Sequence, residues 1–329
     1  MLSRVAESIF WMSRYIERAE NVARFIDVNC HLMLDPPAES AEQWGALVTT
    51  SGDQERFAAR CGAAATQENV IQFLAFEAEN PNSIFSCVRA ARENARSVRE
   101  IISSEMWEQI NTFFLMVSAP AAMDRAKEAP HDLFTEIKMA SHLFEGLTET
   151  TMSHGEGWHF CRLGRTLERA DKTTRLLDVK YFILLPRHAE VGSPFDDIQW
   201  SAVLRSASAF EMYRKRHGRI APDRIVEFLL LDREFPRAVH YCLNAAEDSL
   251  HAIAGTPVGT FRNPAERRLG QLRSELGYAR VDDIIGDGLH EFLDGLQAKL
   301  NVVGDAIFET FFALRPVDSG AAGHGGGQA

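Results

Sequence analysis

The sequence offers little from which to build a disulfide framework, a membrane span or a basic nucleic-acid surface. Its five cysteines, Cys30, Cys61, Cys87, Cys161 and Cys242, are odd in number, and no two form a C-x-x-C pair. That pattern favours reduced thiols and the expectation of a cytoplasmic protein. No apolar run approaches the roughly 20 residues of a membrane helix, and Arg4 and Glu7 interrupt any secretory leader at the N-terminus. Lys and Arg number 35 against 46 Asp and Glu, a net charge of −11, which disfavours nucleic acid as a partner. The basic stretch Arg214-Lys215-Arg216-His217-Gly218-Arg219 is short and reads as a solvated loop. A phosphate-binding glycine loop, a nucleophile elbow and a paired-histidine metalloprotease helix are also missing.

Strict alternation of apolar and polar residues is scarce too, so strands are not expected. Apolar residues recur instead at three- and four-residue spacing, which predicts an all-α protein, one helix after another. A chain of 329 residues buries roughly three quarters of its unfolded surface and needs no disulfides to hold a core. The first helix is predicted over 3–34, ended by Pro36 and Pro37, and a second long helix over 157–185, stopped by Pro186. Asn80-Pro81 reads as a helix start, with Pro236 repeating it. Loops are predicted at 35–40, 118–132, 187–195, 214–222 and 255–264. The Gly-rich stretch 316–329 has little to bury and is expected to be disordered.

The most informative feature is a repeat. Arg14-Tyr-Ile-Glu17-Arg18-Ala19-Glu20-Asn-Val-Ala-Arg24-Phe-Ile-Asp27-Val28 recurs as Arg165-Thr-Leu-Glu168-Arg169-Ala170-Asp171-Lys-Thr-Thr-Arg175-Leu-Leu-Asp178-Val179, with seven of fifteen positions identical. The identities are mainly charged residues, not the Leu and Ala that any two helices share. Gln43-Trp44 then matches Gln199-Trp200, and the segment from Phe73 to Ala91 matches that from Phe228 to Ala246 with seven of nineteen identities. Offsets of 151, 156 and 155 keep the order. The reading is a tandem duplication in which 1–150 and 151–315 are two copies of a multi-helix unit, packed as one bundle with a pseudo-twofold relation.

On a helical wheel Trp11, Tyr15, Ala19, Val22 and Ile26 form a core stripe, with Arg14, Glu17, Arg18, Asn21 and Arg24 opposite. Phe10, Phe25 and Val28 sit among those charges, and the second copy repeats the mixture, so the charged face is expected to be partly buried. Glu17 could pair with Arg14 or Arg18 on its own helix, and Glu20 with Arg24. Two readings compete. In the first, an anion site, Arg14, Arg18, Arg24, Arg165, Arg169 and Arg175 grip a carboxylate or phosphate while Glu17 or Glu168 acts as acid or base. In the second, the stripe is a structural network balanced by acids such as Asp27, Glu77 and Glu79. Both expect no cofactor and leave open whether the protein is an enzyme.

Other features take plainer readings. Trp44 and Trp200 are expected to be core anchors, and Cys87 and Cys242 buried small hydrophobes. His154, Glu156, His159 and Cys161 could hold zinc by residue type, but they fit no established spacing and align with Ser3, Val5, Ser8 and Phe10, so no metal site is expected. The first copy is cationic at Arg89, Arg92, Arg96 and Arg99 where the second has Asn244, Glu247, Asp248 and His251. That contrast suits either packing of the copies on each other or specialisation of one.

The opening Ile9-Phe10-Trp11 through Arg24, with Gly164-Arg165-Thr-Leu-Glu168-Arg169-Ala170-Asp171 and Asn80-Pro81-Asn-Ser83-Ile84, resembles the bacterial alpha-E family over essentially the whole chain except the Gly-rich end. The resemblance implies an all-helical fold. It also implies a part in a peptide ligation or modification system, because genes of that family tend to neighbour or fuse with a circularly permuted ATP-grasp ligase and a transglutaminase-like peptidase. Those two proteins are therefore the implied partners. The resemblance supplies no established catalytic residue.

Overall fold

A computed structural model of the chain describes residues 1–32, 40–62, 64–182 and 194–313. Among them are sixteen α-helices and no strand. The first eight are α1 (Ser3–Leu32), α2 (Ser40–Ser51), α3 (Gln54–Cys61), α4 (Gln67–Ile71, continued by a π turn, Gln72–Phe76), α5 (Ile84–Ser97), α6 (Ser104–Ser118), α7 (Ala122–Glu128) and α8 (Pro130–Thr151). The second eight are α9 (Glu156–Phe182), α10 (Pro194–Ser206), α11 (Phe210–His217), α12 (Pro222–Leu231), α13 (Val239–Ala254), α14 (Pro264–Tyr278), α15 (Val281–Asp287) and α16 (Leu289–Ile307, continued by a π turn, Phe308–Phe312).

The two series run in parallel. Taken in order, their helices have 30 and 27 residues, 12 and 13, 8 and 8, then 15 and 15 for α6 and α14, and 7 and 7 for α7 and α15. α1 packs on α5 and α8, and α9 on α13 and α16. The central contact is α1 against α9, and α2 crosses onto α9 as α10 crosses onto α1. A left-handed backbone residue follows the second helix of each series, Gly52 at φ 80° and Ser208 at φ 52°.

Local chemistry accounts for the helix ends. The Thr66 and Asn69 side chains close a capping box on α4, and Ser83, Ser103 and Asn263 accept backbone N–H groups at the starts of α5, α6 and α14. Pro130, Pro222 and Pro264 open their helices, where a missing N–H costs nothing. α1 is a core helix on nearly every side. Ile9, Met12 and Ile16 are buried, and so are Glu17, Asn21 and Arg24, whereas Trp11 and Tyr15 are only half-buried. The wheel therefore understated how far the charged side is enclosed. Trp44 and Trp200 are core residues.

Several sequence expectations need correction. The stretch 118–132 is not a loop: strong helix formers between Pro120 and Pro130 make α7. α5 does not start at Asn80-Pro81 but three residues on, capped by Ser83. Asn80 instead braces the turn, donating from Nδ2 to the Phe73 carbonyl and accepting the Asn82 N–H. Most of the basic stretch at 214–219 lies in α11, where cations suit the helix C-terminus. The charge contrast at 89–99 is not a seam between the series. Arg92 and Arg99 lie over Trp107 of α6, and Glu247 pairs with Arg273 of α14. The expected boundary at 150 falls in the last turn of α8. The loops at 35–40 and 187–195 lie almost wholly outside the described residues, as does the Gly-rich end. No described helix is long and apolar enough to cross a membrane.

Candidate functional site

Two parallel rods bring the repeated charges face to face. Phe10 of α1 lies against Gly164 of α9, and Ser13 lies beside the Cys161 thiol. In the repeat register 164 matches 13 and 161 matches 10, so each contact is the mirror of the other. One turn further the charges engage in the same crossed way. Arg18 donates from Nε to Glu168 Oε1 at 2.7 Å and from Nη2 to Oε2 at 3.0 Å. Its counterpart Arg169 donates from Nε and Nη2 to the two oxygens of Glu17, both at 2.8 Å. Glu17 thus pairs across the interface and not with Arg14 or Arg18 of its own helix. Both bonds in each pair are fork-to-fork, the geometry in which arginine binds carboxylate most strongly.

Neighbours complete the network unequally. Around Glu17, Arg237 donates from Nη1 to Glu17 Oε1 and Asn21 Oδ1, both at 3.2 Å, and from Nη2 to Glu20 Oε2 at 2.9 Å. Arg24 pairs with Glu20, as the sequence suggested. Arg169 and Arg165 also meet Glu145 and Glu149 of α8, with nearest approaches of 3.1 Å. The balancing acids are these, not Glu77 or Glu79. Glu77 pairs with the outlying Arg60, while Asp27 takes Lys138 at 2.5 Å and His131 at 2.8 Å. Around Glu168, Arg14 donates from Nε at 2.9 Å, and Lys172 stands 3.8 Å away. Arg175 holds Asp171 from Nε at 2.9 Å. At the position matching Arg237 the chain has Asn82, which accepts from Arg18 Nη1 at 2.8 Å.

That shorter side chain borders a cavity of about 520 Å³. Arg14, Arg18, Lys172 and Arg175 line it together with the aromatic side chains Phe10, Trp11, Phe308 and Phe312. The structure therefore gathers three of the six predicted arginines, Arg14, Arg18 and Arg175, at one opening. Arg165 and Arg169 are covered by acids, and Arg24 lines a separate cleft with Asp27, His31 and His131. The predicted glutamates sit beneath both arrangements, Glu168 fully buried and Glu17 nearly so. Sequence reasoning did not single out Arg237, Asn82, Glu145 or Glu149. The substitution of Asn82 by Arg237 at a matched position was the available signal.

The electrostatics follow the geometry. Burial alone would raise the Glu168 carboxyl, but Arg18, Arg14 and Lys172 outweigh it and hold the group well below the usual carboxylate range. Burial is likewise overcome at Glu20 by Arg237 and Arg24, and at Asp171 by Lys172 and Arg175. These folded values lie below the unfolded ones, so the stabilisation is complete above about pH 4.5 and is lost as pH falls through the folded values. The melting temperature should be level between about pH 7 and 5 and fall steeply below about pH 4. A profile level to about pH 3, measured by calorimetry, would remove this network from the stability of the fold.

Three of the thiols are enclosed in the core. Burial pushes Cys87 and Cys242 up to about 12 and Cys161 to about 11, and Cys87 and Cys242 each point at a carbonyl of the preceding turn, Pro81 and Pro236. His154, Glu156, His159 and Cys161 do not converge. His154 stacks on Trp158, Glu156 meets the N-terminal amine and Cys161 is core. Among the described residues, the trio whose ligand atoms lie within 4.8 Å of one another is Asp27, His31 and His131, a grouping the sequence did not reveal. Lys138 already neutralises one Asp27 oxygen, which leaves a cation a poor donor set there.

Residues 1–312 match a family model named Alpha-E, described as a predicted alpha-helical domain with a conserved ER motif. An uncharacterised protein of Mycobacterium bovis and one of Mycobacterium tuberculosis are each 24% identical over 342 residues, covering 94% of this chain. The chain spans only 37% of the length of those curated relatives. No solved structure matches.

Proposed function

Since the chain belongs to the alpha-E family, we propose that it is a non-catalytic helical module of a peptide ligation or modification system, in which the paired Glu-Arg dipeptides are a structural lock. One observation carries this reading. Glu17 and Glu168 are each sealed beneath an arginine from the opposite series, with no water-facing oxygen from which to exchange a proton with substrate. Glu-Arg also occurs at Glu55-Arg56 and Glu266-Arg267, but those dipeptides do not cross between series. The motif in the family description is therefore assigned to 17–18 and 168–169.

The lock also supports descent by duplication, with the two series related by a pseudo-twofold axis between α1 and α9. A two-fold contact is self-complementary, residue i meeting j while j meets i. Arg18 on Glu168 beside Arg169 on Glu17 has that form, as do Phe10 on Gly164 beside Ser13 on Cys161. The greater length of the mycobacterial relatives suits a module that works joined to other domains. Its proposed partners are the circularly permuted ATP-grasp ligase and the transglutaminase-like peptidase that the family resemblance implies.

The test is to mix the chain with such a ligase from its own gene neighbourhood and to repeat the mixture with the double variant Glu17→Gln/Glu168→Gln. Co-elution is expected, and any ligation that depends on the module should fall only in proportion to the folded fraction of the variant. Loss of turnover with a fully folded variant would return the glutamates to acid–base chemistry.

A further inference from the structure

We infer that the cavity beside Asn82 is a binding site for an oxyanion headgroup, carboxylate or phosphate, carried on an apolar body. Two matched places in the molecule differ. On the closed side, Arg24, Arg165, Arg169 and Arg237 face Glu17, Glu20, Glu145 and Glu149, four cations against four carboxylates. On the open side, Arg14, Arg18, Lys172 and Arg175 face the carboxylates of Glu168 and Asp171, four against two. Two positive charges remain uncompensated among these six side chains. The nearest further acid lining the cavity, Asp305, is exposed and within 4 Å of no cation that the described residues provide.

The open side also lacks the group that fills the closed one. Arg237 reaches Glu17, Asn21 and Glu20 there, whereas Asn82 accepts from Arg18 and donates from Nδ2 to Asp53 Oδ1, reaching neither Glu168 nor Asp171, and Lys172 replaces Asn21. Side chains with spare donors line the space that results. Within the described residues Arg175 uses Nε on Asp171 and makes no hydrogen bond with Nη1 or Nη2, and the nearly buried Lys172 Nζ makes none, though acids stand 3.4 and 3.8 Å away. Planar guanidinium and ammonium groups side by side are what an oxyanion needs. Gly52, left-handed at φ 80°, passes over Arg175, where an added Cβ would come within 3.4 Å of Nη1. Aromatic rings share the lining. Arg14 lies 4.8 Å over the Trp11 ring, and Phe308, 48% exposed, lines the same cavity, giving a body attached to the anion an apolar surface to cover.

Calorimetry with N-acetylphenylalanine, its neutral amide and inorganic phosphate tests the site. The free carboxylate is expected to bind with a Kd tighter than about 1 mM and the amide roughly tenfold or more weaker. Displacement by phosphate would show that the headgroup site takes either oxyanion, and failure to displace would narrow it to carboxylates. Arg175→Gln should weaken the carboxylate roughly tenfold or more. Lys172→Asn places on the open side a neutral side chain like Asn21 of the closed one, removes one of the two uncompensated charges and should likewise weaken the carboxylate roughly tenfold or more. Equal binding of acid and amide, no binding of either anion, or unchanged affinity in Arg175→Gln would each overturn the inference.

Discussion

Replacing Glu168 by Gln is expected to cost about 3–5 kcal/mol of folding free energy, the penalty for stranding buried charge. The carboxylate is completely buried and receives Arg14 and Arg18, with Lys172 close by. Glutamine keeps the shape and one acceptor oxygen but removes the charge that permits three cations to share one enclosure. At roughly 2–4 °C per kcal/mol for large domains, the melting temperature should fall by about 10 °C. Glu79→Gln, on an exposed side chain outside the network, should change stability by less than about 0.5 kcal/mol. A Glu168→Gln protein that melts with the parent would mean that the buried pairs contribute nothing to the fold.

A bulky residue at position 164 should be nearly as damaging by a different route. A Cβ built on Gly164 overlaps the Phe10 carbonyl oxygen and comes within 3.3 Å of the Arg14 side chain. The first neighbour is backbone and cannot turn aside, so α1 and α9 must separate along the seam that carries both crossed pairs. Gly164→Leu should destabilise by about 3 kcal/mol, the upper range for overpacking, and loosen the Arg–Glu contacts a turn away. Gly295→Ala is the control. That glycine lies within α16 with open space around its Cβ position, so alanine should be neutral or stabilise by up to about 1 kcal/mol. Equal effects at 164 and 295, read from chemical denaturation, would show that the close approach of the rods is not required.

The sequence revealed the fold class and the repeat because both are written in local chemistry. Three- and four-residue periodicity marks helices, and the matched charges of 14–28 and 165–179 cannot be attributed to generic helix composition. What it concealed was pairing. Helical spacing says that Glu20 can reach Arg24, and it does, but nothing in spacing says which helix will stand opposite Glu17. Proximity along one helix therefore suggested Arg14 and Arg18 of α1, where the structure supplies Arg169 and Arg237 from the other series. The short α7 was hidden because Pro120 and Pro130 resemble loop punctuation while the residues between them favour helix. The anion hypothesis placed six arginines at one kind of site. The structure divides them, and the division turns on Asn82 and Arg237, a difference at matched positions of two otherwise similar segments.

Paired double-mutant cycles measure the crossed lock directly. Arg18→Gln and Glu168→Gln form one cycle, Arg169→Gln and Glu17→Gln the other, each with singles and double followed by denaturant unfolding. Residues in one buried network couple by about 0.5–3 kcal/mol, and independent sites add within about 0.3–0.5 kcal/mol. Coupling of about 1.5 kcal/mol or more in both cycles is the predicted result, the double losing less than the sum of the singles. Additive losses in either cycle would contradict it.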